Sequence, residues 1–139
     1  MSFLLDTNVV SEWMRLRPNA GVVSWLAGVD EDRVYLSVVT LAELRYGIER
    51  LAAGRRRKQL EDWLADDLPL RFEARILPID RVVAEVCGSL VARREAAGRR
   101  IEVMDAFIAA TAVVHNLKLV TRNTRDFDSS LADVICPWS

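Results

Sequence analysis

Short runs of β-branched, aromatic and leucine residues alternate with longer helical stretches, and this alternation restricts the fold more than any other feature. The candidate strands cover residues 3–5, 34–38, 75–79, 118–121 and 134–136. Between them, apolar residues recur at helical spacing, as in Leu41, Leu44, Ile48 and Leu51. The pattern predicts an α/β fold with a central, mainly parallel sheet of about five strands, covered by helices on both faces.

The helical stretches are predicted from the same periodicity and from the residues that interrupt it. They cover about 9–17, 22–28, 41–51, 55–67, 80–97 and 103–116. Pro78 cannot donate a ladder hydrogen bond, so the third strand is expected at an edge or an end of the sheet. The 139 residues contain no repeat and no long linker, and we expect one domain over residues 1–139.

Composition excludes several classes of protein. With 51% hydrophobic and 28% charged residues, the chain is neither disordered nor built for a membrane. It has no apolar run of roughly 18 residues, and Asp6 interrupts the first apolar run too early for a signal peptide. We therefore expect a cytoplasmic protein in which Cys87 and Cys136 are buried, reduced thiols. The single histidine, His115, and the lack of a close cysteine pair argue against zinc.

Polar residues follow three predicted elements at the edge where ligands bind to parallel sheets. Asp6 comes directly after the first strand, Glu43 lies in the first turn of the helix after the second strand, and Asn123 and Asp126 follow the fourth strand. Asp105 begins a helix that runs antiparallel to the fourth strand, so that it starts at the same edge. All of these side chains are expected to converge there.

Structural roles must be weighed for each of these residues. Asp6 could cap a helix, and Thr40 with Glu43 has the spacing of a capping box. Asn123 to Asp126 could form a turn that caps a short final helix. Asp105 is harder to explain in this way. It lies one turn into the helix 103–116, which is apolar on nearly all sides, and a carboxylate there loses hydration at a cost of several kcal/mol. The helix dipole stabilises an ionised carboxylate in the first turn by only about 0.3–1 kcal/mol, which does not offset this cost.

A divalent cation is the larger remedy for crowded carboxylates, which otherwise repel one another and retain protons at neutral pH. Oxygen ligands favour Mg²⁺ or Mn²⁺ over zinc. Such an ion with open positions for water and phosphate oxygens is the equipment of metal-assisted phosphodiester hydrolysis. The sequence therefore predicts a metal site at this edge.

Three segments of the chain resemble, in order and spacing, the signature segments of PIN-domain ribonucleases. They are LLDTNVVSE, SVVTLAELRYGIERL and MDAFIAATAVVHNLKLVTRNTRDF. More narrowly, the chain is similar to the VapC-type toxins of bacterial toxin–antitoxin pairs, including the FitB-like branch. The resemblance extends over almost the whole chain, as far as Pro137-Trp138.

The resemblance implies a three-layer α/β/α sandwich and an Mg²⁺- or Mn²⁺-dependent endoribonuclease that hydrolyses RNA. It also implies a cognate antitoxin protein that inserts a peptide over the active site and carries a DNA-binding domain, so that operator DNA is bound through the complex. We also expect a homodimer. Carried over residue by residue, the resemblance makes Asp6, Glu43 and Asp105 the catalytic acids, with Asp6 and Asp105 as metal ligands, and makes Asn8 and Thr121 the supporting residues.

The chain departs from the family pattern at one position. Many members have an aspartate where this chain has Asn123, and Asp126 lies one short turn further on. Asn123 can still offer a neutral oxygen, although it would hold a second metal less tightly. Glu43, Asn123 and Asp126 are therefore further possible metal ligands, and whether Asp126 supplies the missing charge is left open.

Two other functions compete with this prediction. Asp6 resembles the nucleophile of haloacid-type phosphatases, but Asn8 stands where their second acid is needed. The chain could also be a non-catalytic partner of a DNA-binding protein.

The surface also carries signals of binding. Arginine accounts for 17 of the 19 basic residues, and several are clustered, which suits either solvated helix faces or contact with phosphates or an acidic partner. We expect the helical pair 39–67 to contribute to antitoxin binding or to self-association, with Trp63 and Leu64 exposed.

Overall fold

A computed structural model describes residues 1–127 and 133–139, and these residues form a five-stranded sheet in which all paired strands are parallel. The strand order is β3-β2-β1-β4-β5. The strands are β1 Phe3–Leu5, β2 Val34–Ser37, β3 Ile76–Leu77, β4 Lys118–Val120 and β5 Val134–Ile135. The predicted parallel sheet is confirmed, and β3, which Pro78 follows, is an edge strand as expected.

The helices lie between the strands, as the periodicity predicts, with shifted ends. They are α1 Thr7–Ser11, α2 Ala20–Gly28, α3 Val38–Glu49, α4 Arg55–Asp62, α5 Leu68–Phe72, α6 Arg81–Ala96 and α7 Val103–Val114. A 3₁₀ turn over Glu12–Met14 extends α1, so the first helical stretch ends earlier than predicted. The charged helix continues from α4 through a π-helical turn, Trp63–Asp67, into α5.

Alternate residues of each strand enter different hydrophobic clusters, which places a core on each face of the sheet. Leu4 and Leu119 pack in one cluster with α6 and α7. Leu5 and Val120 pack in the other, with residues of α1, α2, α3 and α5. Because side chains of a strand point to opposite faces with a period of two, the result is the predicted three-layer α/β/α arrangement.

β1 occupies the centre of the sheet, which sets the position of Asp6. Phe3 pairs with Val34 on one side and with Lys118 on the other. The Asp6 amide continues the ladder by donating to the Val120 carbonyl at 2.9 Å. Asp6 therefore leaves the carboxyl end of the central strand.

The predicted start of the helix that contains Glu43 is wrong. Ser37, not Thr40, caps α3, because its side chain accepts from the Val39 amide at 3.1 Å. The helix therefore begins at Val38, and Glu43 lies in its second turn, so the capping box does not form. The turn that begins at Asn123 is present, with the Asp126 amide donating to the Asn123 carbonyl. The short helix expected after it falls on residues 128–132, which lie outside the described residues.

Three exposure predictions also change. Trp63 and Leu64, which begin the π-helical turn, are half-buried and pack against the cluster that contains Phe72. Cys87 is buried as expected, but Cys136 follows the edge strand β5 and is exposed. Among the described helices, none combines the length and apolar character needed to cross a membrane.

Candidate active site

Asp6 is buried and its carboxylate is held on both oxygens. Oδ1 accepts from the Thr7 amide at 2.7 Å, which caps α1. Oδ2 accepts from the Thr121 hydroxyl at 2.7 Å and from the Asn8 side-chain amide at 3.3 Å. The structural role and the proposed ligand role are compatible, because Oδ1 accepts one of these hydrogen bonds and keeps a second lone pair, whereas Oδ2 accepts two.

Thr121 and Asn8 join the end of β4 to the start of α1. The fully buried Thr121 hydroxyl accepts from the Asn8 side-chain amide at 3.3 Å and from the Asn123 backbone amide at 3.0 Å. The Asn8 side-chain oxygen accepts from the Arg122 amide at 3.3 Å. The bonds to its Oδ2 orient Asp6. Asn8 and Thr121 are the two residues to which the family resemblance gives a supporting role.

Glu43 is positioned by a residue that the sequence analysis did not single out. The Thr7 hydroxyl donates to Glu43 Oε1 at 2.5 Å, and it is also hydrogen-bonded to the Thr40 hydroxyl at 3.1 Å. Thr40 is fully buried in α3, so it limits how far Thr7 can move. The only signal for Thr7 in the sequence was its hydroxyl next to Asp6.

The structure places all but one of the predicted polar side chains around one cavity. A cavity of about 280 Å³ is lined by Asp6, Thr7, Asn8, Ser11, Glu43, Asp105 and Asn123. Asp126 is exposed and lines a neighbouring cavity of about 450 Å³, which also includes Asp105. Asn123, and not Asp126, is therefore the side chain that β4 contributes to the first cavity.

The pKa values of Asp6 and Asp105 are raised above those of ordinary aspartates. Burial raises the pKa of Asp6, against the hydrogen bonds from Thr121 and Thr7, and the charges of Glu43 and Asp126 raise it further. Burial also raises the pKa of Asp105, to about 6, with further contributions from neighbouring acids, of which Asp6 is the largest. This is the electrostatic strain expected of carboxylates gathered without a cation.

The cavity suits a hard divalent cation in its chemistry. Its carboxylate, amide and hydroxyl donors are all oxygen atoms, which Mg²⁺ and Mn²⁺ prefer. Within residues 1–127 and 133–139, no three Asp, Glu, His or Cys side chains are grouped closely enough to enclose an ion. The oxygen chemistry of the lining therefore fits such an ion, although these side chains do not enclose one by themselves.

Known proteins match the chain over nearly its full length. A family model described as PIN domain matches residues 3–129. Toxin FitB of Neisseria gonorrhoeae is 40% identical over 135 residues, which cover 97% of each chain. A VapC ribonuclease of Sinorhizobium fredii is 36% identical over 135 residues, covering 97% of this chain and 96% of the relative. A chain in the structure of FitAB bound to a DNA fragment has a TM-score of 0.92 and 37% identity, covering 99% of this chain and 96% of that chain.

Proposed function

The chain belongs to the PIN-domain family, and from this premise we propose that it is a metal-dependent endoribonuclease toxin restrained by a cognate antitoxin. Its substrate is RNA, and its reaction is hydrolysis of a phosphodiester bond. The family membership rests on the match over residues 3–129, and the VapC ribonuclease at 36% identity supports the choice of RNA. The whole chain, residues 1–139, would act as one domain.

The observation that carries this proposal is the single cavity around Asp6, Glu43, Asp105 and Asn123. These residues come from four separate segments of the sequence and have no reason to meet for packing alone. Burial first, and repulsion from the neighbouring acids second, raise the pKa of Asp105 to about 6, so its ionised form costs stability at neutral pH. A protein retains such a cost where a ligand offsets it.

Asp6 and Asp105 would hold Mg²⁺ or Mn²⁺, with Glu43 and Asn123 as further oxygen donors. When bound, the cation supplies Lewis acidity, which lowers the pKa of an attacking water and offsets charge on the scissile phosphate. The contribution of the chain is orientation: the Thr121 hydroxyl holds Asp6 and the Thr7 hydroxyl holds Glu43, and both acids line the cavity. Asp126 would act on the site through its charge, from the neighbouring cavity.

The proposed partner is a small antitoxin protein that carries a DNA-binding domain. The DNA-bound FitAB structure, with a chain of TM-score 0.92, supports this arrangement. Operator DNA would then be bound through the complex and not by this chain, whose formal net charge is −1. We expect the toxin to form a homodimer within that complex and to act in the cytoplasm.

The phosphatase alternative loses support from the geometry around Asp6. Asn8 donates its side-chain amide to Asp6 Oδ2 and accepts from the Arg122 amide. Asparagine cannot exchange a proton in the way a second acid would, so no group at this position can protonate a leaving group. Trapping of a phosphoryl group on Asp6 would nevertheless restore this alternative.

The test uses purified, antitoxin-free protein and labelled RNA, with Mg²⁺, with Mn²⁺ and with EDTA. We expect cleavage with either metal, none in EDTA, and a loss on the order of 100-fold or more in Asp6→Asn and Asp105→Asn, since metal chemistry supplies several kcal/mol. Glu85→Gln, which removes an exposed carboxylate from α6, is the matched control and should cleave normally.

Two results would contradict the proposal. Cleavage that persists in EDTA would remove the metal from the mechanism. Full cleavage by Asp105→Asn would remove the cavity from it. If no RNA is cut under any condition while the antitoxin still binds, the chain is the non-catalytic partner considered above.

A further inference from the structure

Another cavity, different from the one that Asp126 lines, adjoins the acidic cavity. It has a volume of about 470 Å³, and its apolar walls include Met14, Leu60 and Trp138. Asn8 and Ser11 line both cavities, so a ligand can pass from one to the other without leaving the protein surface. We call this cavity the arginine groove, after the residues at its rim.

Three arginines lie around the arginine groove, namely Arg15, Arg56 and Arg122. All three residues are exposed, although Arg15 pairs with the buried Glu12 at 3.1 Å and Arg56 donates to the Met14 carbonyl. Guanidinium groups bind phosphates with two parallel hydrogen bonds and stack on aromatic rings and bases. The rim is therefore suited to a phosphate chain.

The cavity on the other side of the acidic site has the opposite character. Its lining has the carboxylates of Glu95, Glu102, Asp105 and Asp126 and only Arg100 as a cation. An RNA strand that crosses the acidic site is repelled on that side and attracted on the side of the arginine groove. This difference in charge favours a path for the RNA from the acidic site into the arginine groove.

Trp138 is held at the groove by the C-terminal tail. The Asn19 side-chain amide donates to the Ser139 carbonyl at 3.2 Å, and the Gly21 amide donates to the Ser139 hydroxyl at 3.1 Å. Gly21 permits this approach, since a Cβ there would lie 2.3 Å from the Pro137 carbonyl oxygen. The Trp138 ring is half-buried, and the Arg122 guanidinium carbon lies 5.7 Å from its centroid.

We propose that the arginine groove binds the unpaired nucleotide adjacent to the phosphate that is cut. The base stacks on the half-buried Trp138 ring in place of the exposed Arg122 side chain, whose guanidinium then joins Arg15 and Arg56 around the flanking phosphate. Proteins that bind single-stranded nucleic acid usually combine aromatic rings with arginines. The rings stack on the bases, and the arginines contact the negatively charged phosphates. This inference rests on the proposed function, whose substrate class it makes more specific: RNA that is single-stranded at the cut.

The first measurement is the affinity of a short, labelled, single-stranded oligoribonucleotide of mixed sequence, followed by fluorescence anisotropy in EDTA, where cleavage is not expected. We expect Arg122→Gln to bind more weakly and to lower the slope of log affinity against log salt by about 0.7. Trp138→Ala should bind about 5- to 100-fold more weakly, and Trp138→Phe should lose less, since it keeps an aromatic ring.

Arg100→Gln is the matched control for charge. It removes one positive charge from the opposite side of the acidic site and should leave affinity within the range of the wild type. Thermal melting checks that each variant folds. If Trp138→Ala does not fold, Arg122→Gln and Arg56→Gln decide the question, because both residues are exposed. In steady-state cleavage, Arg122→Gln should raise KM and leave kcat near the wild-type value.

Three results would overturn the inference while leaving the ribonuclease proposal intact. In the first, Arg122→Gln and Arg100→Gln weaken binding equally, which indicates bulk charge alone. In the second, a duplex RNA binds as tightly as the single strand. In the third, groove variants bind and cut RNA normally but escape the antitoxin, which assigns the groove to that protein. Conversely, groove-dependent binding without any cleavage would refute the ribonuclease proposal and retain the nucleotide site.

Discussion

Replacing Asp105 by asparagine should make the metal-free protein more stable while removing its activity. Asp105 lies in the first turn of α7 and shares a cavity with Asp6 and Glu43. Its pKa is raised to about 6, by burial first and by the neighbouring acids second. At neutral pH the folded protein therefore contains a carboxylate whose ionisation is unfavourable, and asparagine keeps its shape without its charge.

The size of the effect follows from the pKa. A change from 3.8 to about 6, at about 1.4 kcal/mol per pH unit, gives an upper bound of about 3 kcal/mol. Partial exposure of the side chain lowers this figure, and the dipole of α7 returns about 0.3–1 kcal/mol to the ionised form. We expect Asp105→Asn to raise the free energy of unfolding by about 1–2 kcal/mol, or the melting temperature by about 3–8 °C.

The sign depends on pH in a way that identifies the cause. Above pH 6 the wild type carries the full penalty, because Asp105 is ionised in both the folded and the unfolded state. As the pH falls through 6 toward 4, the folded state takes up the proton first and the wild type gains stability. The difference between Asp105→Asn and wild type should therefore be large at pH 7.5, fall to about half near pH 5, and approach zero only below the ordinary pKa of 3.8.

Thermal and urea unfolding in EDTA at several pH values measure this difference, with Glu85→Gln as the control for loss of one negative charge. Adding Mg²⁺ should stabilise the wild type and should have much less effect on Asp105→Asn, since ligand binding to the folded state is lost. A variant that is less stable than the wild type at pH 7.5, or a difference that does not change with pH, would refute the reasoning.

Three smaller predictions concern other parts of the molecule. Thr7→Val should lower kcat/KM about 10- to 100-fold through loss of the hydrogen bond to Glu43, and Thr7→Ser should restore most of it; equal losses in both would assign Thr7 to packing alone. Gly21→Ala should destabilise the protein by about 1–3 kcal/mol because its Cβ meets the C-terminal tail; urea unfolding measures this, and an unchanged midpoint would contradict the contact. Cys136 should react with a thiol reagent in the native state, whereas Cys87, whose pKa burial raises, should react only on unfolding; two fast-reacting thiols per native chain would contradict this assignment.

The sheet and most of the site were accessible from the sequence because both depend on where strands end. Parallel strands bring their carboxyl ends to one edge, so Asp6 and Asn123 could be placed together without knowing any contact. Asp105 was found by a different argument, the cost of a charge on an apolar helix. Its raised pKa is the form that this cost takes in the structure.

What the sequence did not reveal depends on competition between similar residues. Ser37 and Thr40 can both cap a helix, and the choice was made by pairing: Ser37 is opposite Leu77 in the sheet, so β2 continues to Ser37 and α3 starts at once. In the same way, Asn123 and Asp126 belong to one turn, and only the structure shows that Asn123 is the one that lines the cavity with Asp6.

The arginine groove could not be predicted from the sequence. Its parts come from α1, the start of α4, the end of β4 and the C-terminal tail, and none of them forms a motif. Trp138 closes the resemblance to the family, but its position beside Arg122 follows from the contacts of Ser139 with Asn19 and Gly21. Such a site is created by tertiary packing of residues far apart in the chain.

The central place of β1 has a consequence for the ribosome that makes the protein. The first strand to be synthesised pairs with β4, and the hydrogen bond from Thr121 to Asp6 joins residues 115 positions apart. Until translation has passed Thr121, the nascent chain has no partner for one flank of β1 and nothing to orient its first acid. The proposed activity therefore requires synthesis of the chain at least as far as Thr121, and the time before that point is available for an inhibitor to be made.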